Sequence, residues 1–105
     1  MRAGDLDRKI TIERAEDGVT NAFNETATIW AQIASPFAKI VETRGNEFLA
    51  VEQRVSERRA VFTIRFLADV RRTDRIAWDN EFWDITSTRE IGRRKALEIH
   101  AFVRE

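Results

Sequence analysis

Two segments of this chain alternate apolar and polar side chains residue by residue, and that pattern limits the fold more than any other feature. From Arg59 to Phe66, Ala60, Phe62, Ile64 and Phe66 fall on one side and Val61, Thr63, Arg65 and Leu67 on the other. From Ala96 to Val103, Leu97, Ile99, Ala101 and Val103 oppose Ala96, Glu98, His100 and Phe102. A helix would scatter these residues around its axis, whereas a strand sends successive side chains to opposite faces. Lys9 to Arg14 repeats the pattern with Ile10 and Ile12, and Thr28 to Ile33 reads as a strand with Trp30 buried. Pro36, the only proline, cannot donate to a ladder and marks a bend or edge before extended structure resumes over Phe37 to Val41. Arg75 to Trp78 and Phe82 to Thr86 flank the polar turn Asp79-Asn80-Glu81, a hairpin signature, and Gly92-Arg93-Arg94 forms the next turn. Only Gly45 to Val55 shifts to helical spacing, through Phe48, Val51 and Val55. The expected fold is mostly β: a small antiparallel β-barrel of about six strands with one short helix, as a single domain over 1–105.

The stretch Ala15 to Ala27 breaks this rhythm. Asp17, Gly18, Thr20, Asn21, Asn24 and Glu25 surround a lone Phe23, a composition too polar to build its own core. It reads as a long, mobile hairpin arm that orders against a neighbouring subunit or ring.

Charge excludes some functions and suggests others. Lys plus Arg and Asp plus Glu number 18 each, so there is no global positive field to drive non-specific nucleic-acid binding. Residues 1–53 nevertheless carry six basic and nine acidic groups, against eleven basic and seven acidic over 54–95. Fifteen of the 18 basic residues are Arg, the better residue for bidentate pairs at interfaces, although base composition also accounts for such a skew. With no Cys, thiolate metal sites and disulfides are excluded, and the charged N-terminus predicts neither a signal peptide nor a membrane span. His100 is the lone histidine, Asp79, Glu81 and Asp84 lack the spacing of a calcium loop, and Tyr is absent. The sequence therefore predicts no enzyme, no cofactor and no metal. Arg71, Arg72 and Arg75 near Trp78, with Arg93, Arg94 and Lys95, interleave basic and aromatic groups as single-strand binders do. Pairing with Asp69, Asp74 and Glu90 is the plainer account of them.

The order of features resembles the bacteriophage head-to-tail joining (head-closure, or stopper) proteins over nearly the whole chain. Ala3-Gly4-Asp5-Leu6-Asp7-Arg8-Lys9-Ile10-Thr11-Ile12 is similar to the start of that family, and Ile29-Trp30-Ala31-Gln32-Ile33 to its Trp-Ala strand. Gly45-Asn46-Glu47 with Ala50 and Gln53, then Thr63-Ile64-Arg65-Phe66, follow in the family's order. Asp74-Arg75-Ile76, Phe82-Trp83-Asp84-Ile85 and Gly92-Arg93-Arg94 before Leu97-Glu98-Ile99 complete it. Two departures stand out: Asn24 precedes Glu25 where glycine is expected, and Phe82-Trp83 replaces a tyrosine.

The resemblance implies a structural neck protein of a tailed phage or phage-like particle, made in the bacterial host cytoplasm. Copies of the chain would form a homo-oligomeric ring of about six or twelve subunits that closes the DNA-filled head. Its partners would be a portal or adaptor protein on the head side and a tail terminator or tail completion protein on the tail side. DNA would pass through the channel without sequence-specific binding, and no membrane is involved. In that ring Glu47, Glu52, Gln53, Arg54, Glu57 and Arg58 are candidates to face the channel. Asp17, Asn21, Phe23, Asn24 and Glu25 form the candidate inter-subunit or inter-ring arm, and Arg71, Arg72, Arg75, Arg93 and Arg94 are candidate interface arginines. The alternatives are a nucleic-acid-binding small β-barrel or another neck component such as a tail terminator.

Overall fold

A computed structural model describes residues 3–20, 22–44 and 57–104. They form one curled antiparallel sheet, a half-barrel, preceded by a 3-10 turn at Ala3–Asp5. The strands are β1 (Arg8–Lys9), β2 (Thr11–Thr20), β3 (Thr26–Ala34), β4 (Phe37–Arg44), β5 (Glu57–Arg65), β6 (Arg75–Trp78), β7 (Glu81–Ile91) and β8 (Ala96–Arg104). Their order across the sheet is β1-β4-β5-β8-β7-β6-β2-β3.

Eight strands replace the expected six or so, and two of them run further than expected. The first extended segment changes partner at Ile10, so one pass of chain counts as both β1, paired with β4, and β2, paired with β6 and β3. The expected hairpin arm is strand along most of its length: β2 and β3 pair from Ile12↔Ala34 to Thr20↔Thr26, with register shifts after Ile12 and between Asp17 and Thr20. The helix expected over 45–55 lies outside the described residues.

β1–β2 and β3–β4 together make one long hairpin. At its waist the Ile10 amide donates to the Pro36 carbonyl at 3.0 Å, and the Ser35 hydroxyl donates to the Ile10 carbonyl at 3.1 Å. Pro36 thus sits at the bend where β3 ends and β4 begins. On one side of this waist the hairpin joins the barrel wall through β5; on the other it extends as the arm.

The alternating segments supply the core. Ile10, Ile12, Phe62, Ile64, Ile76, Trp83 and Ile99 are fully buried, joined by Ala60, Leu97 and Ala101. Phe62 meets Trp83 edge-on with ring centroids 5.4 Å apart and Trp78 at 6.0 Å, the arrangement that ring quadrupoles favour. Asp79 and Asn80 both take the left-handed conformation, with φ of 56° and 61°, which gives the two-residue hairpin turn its matching twist. Asn24, standing where glycine was expected, has φ of 65°, a conformation that asparagine tolerates better than most residues.

Candidate assembly surface

The base of the arm is locked by a charge cluster. Asp74, only 2% exposed, begins the approach to β6 and accepts from both Nε and Nη2 of Arg14 on β2 at 2.9 Å each. The Arg71 amide adds a third bond to Asp74 at 2.9 Å, closing the turn before β6. Arg14 also donates to the Asp69 carboxylate at 3.1 Å and to its carbonyl at 2.6 Å. These bonds, led by the one to Asp74, hold the Arg14 guanidinium charged well beyond its ordinary range, and Arg14 in turn depresses the Asp69 carboxyl. Arg14 and Asp74 are sixty positions apart, and no local pattern in the chain marks the pair.

On the outer face a second contact ties the arm to the wall. The Arg75 guanidinium is sandwiched between Trp30 of β3 and Phe82 of β7, 3.9 and 3.7 Å from the two ring centroids, while its Nε donates to Glu13 at 2.8 Å. Trp30 is therefore not buried in a core as expected: it is 36% exposed, because β3 is the last strand of the sheet and its outer face has no second layer. Register explains the meeting, since Glu13 pairs with Arg75 and Gln32, and Trp30 stands one position along the same face.

Beyond this anchor β3 presents an open edge. Its sequence, Thr-Ala-Thr-Ile-Trp-Ala-Gln-Ile-Ala, has no charge and no proline, and Ile29 and Ile33 are exposed. Gly18 on β2 is needed for the close pairing here, because a Cβ at that position would lie 2.8 Å from the Ala27 carbonyl oxygen.

The residues singled out from the sequence divide as follows. Asp17 lies on β2, and Phe23, Asn24 and Glu25 lie at the arm's exposed tip; Asn21 is outside the described residues. Glu47, Glu52, Gln53 and Arg54 also lie outside them. Glu57 and Arg58 open β5, where Arg58 pairs with Glu42 and Glu81 and lies over the Trp83 ring. Those ion pairs link β4, β5 and β7. Arg71 and Arg75 make contacts within the chain, Arg72 and Arg93 are exposed, and Arg94 lies over Phe66 at the tip of the β7–β8 hairpin. His100 bonds Glu98 at 3.0 Å and, with Arg89, holds that carboxyl below its usual range. Among the described residues no three His, Asp or Glu side chains are placed to hold a metal ion.

The described residues thus form a small curled sheet with an arm that ends in an uncovered strand edge and is anchored by ion pairs and aromatic stacking. The chain belongs to the phage head completion protein family, whose model matches residues 1–105. Two solved structures share the fold. One is a chain of the virion of a native gene transfer agent particle, 14% identical, with a TM-score of 0.69 over 95% of this chain and 96% of that one. The other is the solution structure of protein SF1141 from Shigella flexneri 2a, 20% identical, with a TM-score of 0.68 over 96% of this chain and 95% of that one. No curated protein matches the chain.

Proposed function

We propose that the protein completes the DNA-filled head of a tailed phage or phage-like particle by forming a ring in the neck between the portal or its adaptor and the tail. The family match over the whole chain carries this reading, and the fold shared with a chain of a gene transfer agent virion supports it. A ring of about six or twelve copies requires a heterologous contact, one surface of each copy against a different surface of the next. An arm that leaves the barrel wall as a paired strand is suited to one side of such a contact. A balanced charge suits a wall that DNA must pass without being held, and Arg71 and Arg75 are already engaged within the chain. In this reading the portal or adaptor and a tail terminator or completion protein are the neighbours above and below.

The test is assembly of particles lacking this protein. Filled heads that lose DNA and fail to take tails, and that recover both properties when the purified protein is added, are expected. Heads that retain DNA and accept tails without it would overturn the proposal. Electron microscopy of the protein with portal complexes should show an added ring.

A further inference from the structure

Besides β1 and the far half of β4 at the other end of the sheet, two strand edges are open among the described residues, and they differ in character. One is β3, last in the sheet, with nine residues free of charge and with Ile29 and Ile33 exposed. An uncharged edge of that length is a template for another strand, and soluble proteins cover or blunt such edges. The second is the far half of β7. Its partner β6 runs alongside only from Glu81 to Asp84, so the same side of β7 is bare onward to Ile91, where Thr86 to Glu90 are exposed. The two regions also oppose each other in charge. Residues 15–38, which contain most of the arm, carry three acidic groups and no basic one, whereas residues 86–95, around the β7–β8 tip, carry four basic groups and one acidic.

We infer that the β3 edge of one copy pairs with the open β7 edge of a second copy, placing the acidic arm beside the basic β7–β8 tip. Unpaired backbone donors and acceptors on both edges supply the adhesion, as in strand addition generally. Charge sets which edge meets which, because two arms brought together would set acidic residues against acidic ones. The contact is head-to-tail, so repeating it closes a ring; this deepens the ring reading above and rests on it.

The chain has no cysteine, so engineered thiols report the contact cleanly. In the variant with both Ile29→Cys and Thr88→Cys, a short bismaleimide should give a ladder of cross-linked multimers in solution and in particles. Each single variant alone should stay uncross-linked. Arg93→Glu with Lys95→Glu should abolish self-association, Glu16→Arg with Asp17→Arg should do the same, and mixing the two should restore multimers in which the variants alternate, because reversed surfaces meet at one contact and unchanged surfaces at the next. Raising the salt should weaken the wild-type association. Dimers formed by the Ile29→Cys variant alone would mean arm-to-arm pairing and overturn the inference. So would particles whose neck rings assemble without any ladder, a result that leaves head completion intact.

Discussion

Replacing Asp74 with Asn tests whether the arm's anchor is structural, because it keeps the side chain's shape and removes its charge. Three donors converge on the two carboxylate oxygens: Arg14 Nε on Oδ1, and Arg14 Nη2 with the Arg71 amide on Oδ2. An amide offers a single acceptor oxygen, so its NH2 group must face one donor head-on. With the oxygen in the Oδ2 place, two bonds survive and the one from Arg14 Nε is lost. A hydrogen bond to a charged group is worth about 1.5–3 kcal/mol, and Asp74 is only 2% exposed, so water does not replace it. The expected loss of stability is about 2–3 kcal/mol, a fall in Tm of roughly 10–20 °C for a chain of this size. Urea unfolding followed by tryptophan fluorescence reads it as a lower midpoint at unchanged slope, since Trp78 and Trp83 pack with Phe62 in the core. Asp69→Asn serves as the control: that side chain is 68% exposed, and its loss should be far smaller. A change below about 0.5 kcal/mol for Asp74→Asn would refute the reasoning and place the cluster with ordinary surface ion pairs.

Gly18→Ala should push β3 away from β2, since the new Cβ would lie 2.8 Å from the Ala27 carbonyl oxygen; hydrogen exchange should quicken in the arm and remain unchanged in β5 and β8. Arg75→Ala removes both stacking contacts, worth about 0.5–1 kcal/mol each at such a site, and should shift Trp30 emission while leaving the core tryptophans unaltered. Asp69 and Glu98 both have carboxyls depressed in the folded state, Asp69 by Arg14 and Glu98 by His100 and Arg89. The stability they contribute is present above the unfolded carboxylate range and is lost as pH falls through the lower folded values. Glu98→Gln should flatten that acid limb in a pH series of urea midpoints, and an unchanged slope would contradict the assignment.

How much of this was legible in the sequence depended on whether the governing contact was local. The alternations at Arg59 to Phe66 and Ala96 to Val103 reported their buried faces correctly, because each strand lies between two neighbours with the core on one side. Asp79-Asn80 was readable as a turn because left-handed backbone has its own residue preferences. Trp30 misled for the converse reason: a strand pattern shows that two faces differ, not which of them is covered, and at the edge of the sheet neither is fully enclosed. The polar residues of the arm predict a mobile hairpin, and β2 and β3 do form a hairpin there, though as paired strand along most of its length. Arg14 and Asp74 left no trace, being joined only by the fold, and the arginines grouped by sequence proximity were dispersed to different partners.

The change of partner at Ile10 has a mechanical meaning. Because the arm's strand is the core's strand continued, a pull along it cannot peel the hairpin away one bond at a time. It loads the short ladders to β4 and β6 in shear, so that their backbone bonds resist together. The arm is therefore a lever rooted in the barrel, and displacement of its tip is felt at Ile10 and Ile12, among the most deeply buried side chains of the chain.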